Sequence, residues 1–356
     1  MATHFDISNV EDDSGTYARS CHIRLGSGQL SFDAPFKVGN GDATDVPLYE
    51  VYRRISPTTI VKSFQSEKYS RGVDANLKNR CKGRSNILIM EYDSKDVIPT
   101  SRMVEYLSDI QYNHTDVIVT PSWFSLITRT DSTDVDLFLA MTDEYLEAAS
   151  RLNHKPMMVS IPQSIPSERI DDVLEHYISC KDVTSFCIDS NSRALMNGSW
   201  MRKFQTSIDK VRSLYNIEDE CLLYSVNAYQ GIVKRNEERI DAKDFLGFTA
   251  GIDVIGGKHT KGYNSNDSDE RMTVARMFDP ETYTYVKAVC AKEVKDRITS
   301  QSVAAQIMEM PIIQDRIKEG LLEDHLRSKA ISESTLRTIY GLKDTASSIR
   351  TLDSFI

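Results

Sequence analysis

Long apolar runs are missing from this chain: nothing approaches the ~20 consecutive apolar residues that cross a bilayer, so no membrane span is expected. The opening MATHFDISNVEDDSG is acidic and polar. It lacks a basic start followed by an apolar stretch, so no secretory signal is expected. Cysteine is sparse, with six residues at Cys21, Cys81, Cys180, Cys187, Cys221 and Cys290, and no pair has C-x-x-C spacing. Cys187, Cys221 and Cys290 lie in or beside apolar stretches, where a free thiol behaves as a small hydrophobe. A reducing, cytoplasmic compartment is expected, with neither a disulfide framework nor a structural zinc site. Positive charge is in deficit: the net charge is −9, which excludes a uniformly basic nucleic-acid surface. A local basic face is not excluded, because Lys78, Arg80, Lys82 and Arg84 cluster with Arg53 and Arg54 upstream. The plainer reading of that cluster is a solvated loop. No G-x-G-x-x-G follows a first strand and no G-x-x-x-x-G-K-[ST] occurs, so the usual nucleotide signatures of open sheets are absent. Of seven histidines only His259 falls near an expected strand end, so a multi-histidine metal centre is poorly supported. No metal and no cofactor are expected.

What is present is a repeated alternation. The chain has 356 residues, enough for one α/β barrel of roughly 250 residues plus additions. Apolar residues make up 40% of it, and they are concentrated in short runs. The runs are Thr59 to Lys62 (TIVK), Asn86 to Met90 (NILIM), Asp116 to Thr120 (DVIVT), Pro156 to Ile161 (PMMVSI), Ser185 to Ile188 (SFCI), Cys221 to Val226 (CLLYSV) and Gly251 to Ile255 (GIDVI). Each is continuously apolar rather than alternating, as strands buried on both faces of a parallel sheet read. Between them Met103, Val104, Leu107 and Ile110 share one helical face, as do Leu137, Met141, Tyr145 and Ala148, and Ile170, Val173, Leu174 and Tyr177. Trp200 to Tyr215 is a fourth helix and Ala242 to Thr249 a short fifth. This order predicts right-handed crossovers and a parallel sheet. An eighth strand near 33–50 or after 270 completes a (β/α)8 TIM-type barrel, with an open doubly wound sheet as the runner-up. The expected domains are a flexible 1–20, a barrel over 21–290 opened by a hairpin around Gly26-Ser27-Gly28, and a helical C-terminal appendage over 291–356. The polar stretch 257–275 is expected to be a long loop.

Sites in such barrels lie where strands end and loops begin. The expected strand ends carry Asp93-Ser94, Trp123, Gln163, Asp189 and Asn191, Asn227, and the group Asp253, Gly256, Gly257, Lys258, His259. Each has a plainer alternative. Asp93-Ser94 and Asp189 with Asn191 also fit helix caps, His259 a loop histidine, and Trp123 a core residue. Taken together they point to a polar pocket. Asp93 and Asp253 can divide a displacement between nucleophile and general acid/base. Gln163, Asn227 and Asp189 can pair with the edge of a nucleobase, while Trp123 or Tyr92 stacks on its face.

The motif order resembles the tRNA-guanine transglycosylase superfamily, barrels that exchange guanine for a 7-deazaguanine in nucleic acid. LGSGQLSFDAPF after Arg24 is similar to the family's opening hairpin, and SPTTIVKSFQSEKY to its next element. ILIMEYDS resembles the strand ending in Asp-Ser, which implies an acid/base or substrate-binding role for Asp93 and a base contact for Ser94. MMVSIPQS resembles the strand ending in Val-Gln-Gly, which implies a base-edge contact for Gln163. GIDVIGG resembles the Gly-x-Asp segment of the strand bearing the nucleophile. The matches span about residues 20–260. Departures are specific: Lys95-Asp96-Val97 follow Asp-Ser, Gly256 stands where the family nucleophile would be, and the Cys-x-Cys-x-x-Cys zinc motif is absent. MFDPETY is similar to the family's Phe-Asp stretch and makes Asp279 a rival nucleophile to Asp253.

The resemblance implies a divergent glycosyl transferase exchanging a base in tRNA or DNA, with Asp253 or Asp279 attacking and Asp93 handling protons. Ser94, Trp123, Gln163, Asp189, Asn191, Asn227 and His259 would bind substrate. Its partners would be nucleic acid and a 7-deazaguanine base, in a homo- or heterodimer. Two alternatives stand beside it: a non-catalytic partner subunit, and an unrelated barrel enzyme acting on a small metabolite.

Overall fold

In the computed structural model the structure describes residues 5–25, 30–39, 46–81, 83–127, 132–152, 155–196, 198–231, 237–259 and 272–353. The chain runs β1 (Phe5–Asp12), β2 (Arg19–Leu25), β3 (Ser31–Ala34), β4 (Phe36–Lys37), β5 (Tyr49–Ile55), α1 (Pro57–Gln65), α2 (Glu67–Cys81), β6 (Asn86–Tyr92), α3 (Ser101–His114) and β7 (Ile118–Val119). It continues α4 (Ser132–Ser150), β8 (Met157–Pro162), α5 (Ile170–Lys181), β9 (Ser185–Asp189), α6 (Gly198–Tyr215), β10 (Leu223–Val226), β11 (Arg239–Asp241) and β12 (Val254–Ile255). It ends β13 (Met272–Asp279), β14 (Thr284–Ala291), α7 (Lys295–Lys318), α8 (Leu322–Ser328) and α9 (Glu333–Asp353). Among the described residues no helix is long and apolar enough to cross a membrane.

The fold is mixed α/β. Six strands form a parallel sheet in the order β4-β12-β10-β9-β8-β7. A second parallel pair joins β5 to β6. Isolated parallel bridges link Gly39 to Tyr49, Ile87 to Val117 and Glu91 to Ser122. Two antiparallel units flank these strands: β1-β2-β3, and β11-β14-β13.

The parallel strands other than β4 send alternate side chains into two different apolar clusters, because successive side chains leave a strand on opposite faces. Tyr52, Ile87, Ile89, Val119, Met158, Cys187, Tyr224, Val226 and Val254 fall in one cluster. Val51, Leu88, Met90, Ile118, Val159, Phe186, Ile188, Leu223 and Ile255 fall in the other, with the helices. Burial on both faces is why these runs are continuously apolar in sequence. Phe5, Ile7, Ile23, Phe32 and Ala34 join the first cluster, so the N-terminal sheet covers one end of it.

The expected strand at Thr59 to Lys62 is a helix instead. Ser56 Oγ accepts the Thr59 N–H at 3.2 Å and Pro57 occupies the first turn, which starts α1 despite the β-branched run. The strand occupying its place is β5, whose Glu50, Arg53 and Arg54 interrupt the apolar pattern. The eighth strand expected near 33–50 is met by β4, ahead of β5. Residues 5–12, expected flexible, form β1 paired to β2. Residues 272–275, expected as loop, belong to β13, and 260–271 lie outside the described residues, as does the turn at Gly26-Ser27-Gly28. The C-terminal helices pack closely: Gln314 of α7 donates to the Asp33 and Pro35 carbonyls at 3.0 and 3.1 Å.

Asp253 precedes β12. Arg19, from β2, donates to its Oδ1 through Nε at 2.7 Å and to its Oδ2 at 2.8 Å, and also reaches the Cys221 carbonyl at 2.7 Å. The Leu223 N–H donates to the same Oδ2 at 2.8 Å. Both charges are buried, so removing one strands the other in a dry environment. Arg19→Ala is expected to cost about 3–5 kcal/mol in denaturant unfolding. A loss below about 1 kcal/mol would show that this pair does not anchor the N-terminal sheet.

Candidate functional site at the C-terminal strand ends

The opposite ends of the parallel strands carry buried polar side chains. Alternation along β5 places Glu50, Tyr52 and Arg54 on one face, a period-two pattern. Glu50 has no exposed side-chain surface. Its Oε1 accepts the Gly257 N–H at 2.8 Å and meets His259 Nε2 at 2.5 Å, while its Oε2 accepts the Tyr224 hydroxyl. Tyr224 belongs to β10, which does not pair with β5, so these contacts cross the space between strands. Lys37, from β4, donates to the Gly256 carbonyl at 2.5 Å. A Cβ at Gly256 would overlap Glu50 Oε2 and the Ser225 carbonyl, so only glycine lets the carboxylate sit there.

A second set adjoins the first. The Tyr52 hydroxyl donates to Glu91 Oε2 at 2.5 Å, and Arg54 Nε donates to the same oxygen at 2.7 Å. The Tyr52 ring stacks on His259 with centroids 4.5 Å apart. Asn227 links both sets: its Oδ1 accepts the His259 N–H at 2.9 Å and its Nδ2 donates to Asp189 Oδ1 at 3.1 Å. Ser122 Oγ donates to Asp189 Oδ2 at 2.5 Å, and the Asn191 N–H donates to Oδ1 at 3.1 Å. Asn227 and Asn191 both have positive φ, 58° and 40°. Asparagine tolerates that region better than most residues.

Burial would raise the Glu50 carboxyl, but the His259 charge, hydrogen bonds from His259 and Tyr224, and the Lys37 charge together hold it below the usual value. Burial pulls the Lys37 ammonium down, against the charges of Asp244 and Glu50. Burial pushes Asp189 up, against the hydrogen bonds from Ser122, Asn227 and the Asn191 N–H. The site thus combines a depressed carboxylate, a raised one and a weakened cation, the divergence of environments that acid/base chemistry uses.

Of the residues expected from sequence, Asp189, Asn191, Asn227 and His259 are brought together here. Gln163 is beside them: its N–H donates to the Asp189 carbonyl at 2.9 Å and its Nε2 to the Ala194 carbonyl at 3.1 Å. Its Oε1 is buried with no partner among the described residues. Asp93 follows β6 and is exposed, and Ser94 Oγ accepts the Val97 N–H at 3.0 Å as a turn contact. Trp123 is core: fully buried, it donates to Thr142 Oγ1 at 3.2 Å and packs edge-on to Tyr92. Asp253 is at the other end of the strands, bound by Arg19. Asp279 lies at the β13–β14 turn, where Arg239 donates to it at 2.8 Å. Among the described residues no group of three His, Cys, Asp or Glu side chains is placed to hold a metal ion.

Sequence reading missed Lys37, Glu50, Tyr52, Glu91 and Tyr224. The alternation Glu50, Tyr52, Arg54 was the available signal, obscured by Arg53. A scan against protein-family models, a search of curated proteins and a search of solved structures each found no match to this chain.

Glu50→Gln leaves Lys37 and His259 without their buried counter-charge and is expected to destabilise by about 3–5 kcal/mol near neutral pH. The folded carboxyl titrates below the unfolded value of about 4.3, so its contribution is complete above that pH and is lost as pH falls through the folded value. Thermal melts of the two proteins should therefore converge as pH drops below about 4. A constant gap down to pH 2 would show that the Glu50 charge is not what stabilises the network.

Proposed function

We propose that the chain is a (β/α)8 barrel of the guanine transglycosylase type that binds a nucleobase at its C-terminal mouth and exchanges it in tRNA or DNA. The barrel reading is supported by the bridges from Gly39 to Tyr49, from Ile87 to Val117 and from Glu91 to Ser122, which link the two-stranded and six-stranded sheets at both edges. It is supported too by Glu50 and Tyr224 meeting from strands that do not pair. The observation that carries the functional reading is the group Asp189, Asn227 and Gln163. The Asp189 and Asn227 side chains meet from two strand ends, Gln163 adjoins them through its backbone N–H on the Asp189 carbonyl, and Gln163 Oε1 is buried with no partner among the described residues. A planar heterocycle with a free N–H would satisfy it.

Chemical roles follow from placement. Asp93, exposed just past β6, attacks the sugar carbon and displaces the base. His259, oriented by Glu50 and by stacking on Tyr52, gives a proton to the departing base and takes one from the incoming base. Asp253 and Asp279 have no part in this scheme, since guanidinium groups already bind both.

A second reading is a partner subunit that binds without turnover. It is favoured by Gly256, which stands at the expected nucleophile position and whose side-chain space Glu50 fills. Denaturing electrophoresis after incubation with tRNA or duplex DNA, with and without a 7-deazaguanine base, separates the readings. Exchange predicts a covalent adduct that Asp93→Ala abolishes and Asp279→Ala leaves intact. Nucleic-acid binding with no adduct would select the partner-subunit reading, and an adduct surviving Asp93→Ala would overturn the assigned nucleophile.

A further inference from the structure

Arg53 and Arg54 leave β5 on opposite faces. Arg54 turns to Glu91, while Arg53 reaches Asn76 of α2 at 3.4 Å. Around Arg53 an open groove of about 510 Å³ is lined by Ser66, Lys68, Tyr69, Gly72, Val73 and Asn76. Between residues 53 and 84 the sequence holds nine Lys or Arg against two Asp or Glu, in a chain whose net charge is −9. Positive charge is therefore segregated onto β5, α1 and α2. Lys62, Lys68 and Lys78 are exposed and make no ion pair among the described residues. Tyr69 exposes 39% of its surface among them. Arg53 Nε is buried without a partner among the described residues.

We propose that this groove is a docking surface for single-stranded nucleic acid. Lys68 in the groove, with Lys62 of α1 and Lys78 of α2 beside it in the chain, can neutralise phosphates and release their counterions. An exposed aromatic ring among cations is a stacking platform for an unpaired base. Asn76 and Ser66 add polar groups for sugar and phosphate oxygens. Charge alone would also attract an acidic peptide, but the exposed Tyr69 ring and the open, largely apolar floor favour a strand with stackable bases. The groove lies on the helix side of β5, one strand's thickness from Glu50, Tyr52 and Arg54. The assignment rests on the charge and shape of this surface, and it deepens the base-exchange reading by naming the strand form that would reach the mouth.

The test is fluorescence anisotropy of a labelled 20-nucleotide oligothymidylate with the full chain, repeated across a salt series. Lys62→Glu, Lys68→Glu and Lys78→Glu combined should weaken binding at least tenfold. Removing three phosphate contacts should also make the slope of log affinity against log salt shallower by about 2. Tyr69→Ala should weaken it about tenfold while leaving the slope unchanged. Circular dichroism melts confirm that these surface variants fold. Unchanged affinity in both variants, displacement by poly-glutamate as effective as by oligonucleotide, or no binding at low salt would each overturn the proposal. Adduct formation is read separately: a missing adduct with intact, variant-sensitive binding defeats base exchange and leaves the groove standing.

Discussion

A carboxylate with no exposed surface can stay charged only if its surroundings replace the water it has lost. Glu50 meets that demand with the Tyr224 hydroxyl, the Gly257 N–H and His259, and with the Lys37 ammonium close by. The partners come from β10, from the segment after β12, and from β4. The requirement of one charge thus gathers residues from four strands and their ends. It also dictates Gly256, because any side chain there would displace the carboxylate. His259, held at Nε2 by Glu50 and through its backbone by Asn227, passes the constraint on to Asp189 and Ser122.

The two ends of the parallel strands solve the same problem for different purposes. At the N-terminal end Arg19 and Asp253 form a closed pair with the Cys221 carbonyl and the Leu223 N–H, leaving no oxygen of the carboxylate for a ligand. At the C-terminal end the charges are spread over a network, and Gln163 Oε1 has no partner among the described residues. Ile87, Ile89, Val119, Met158 and Cys187 of the same strands belong to one buried apolar cluster. Saturated polar groups favour rigidity, and unsaturated ones favour binding.

Much of this was legible beforehand. Apolar runs at 86–90, 116–120, 156–161, 185–188, 221–226 and 251–255 overlap β6 to β10 and β12, because strands buried on both faces need apolar residues throughout. Asp189, Asn227 and His259 were legible as polar groups just past such runs. Glu50 was not, because a charged residue inside a strand breaks the pattern by which strands are read. Thr59 to Lys62 misled for a related reason: β-branched residues suggest a strand, but the Ser56 cap and Pro57 begin a helix.

The sequence by itself determined the α/β alternation, the positions of most strands and which strand ends are polar, since these follow from local periodicity. Tertiary structure alone decided which polar residues meet and which partner neutralises each. Asp253 and Gly256 are three residues apart in sequence. One closes an ion pair with Arg19, 234 positions away, and the other, just past β12, makes room for Glu50 of β5. A carboxylate's role depends on what surrounds it, and those neighbours come from distant parts of the chain.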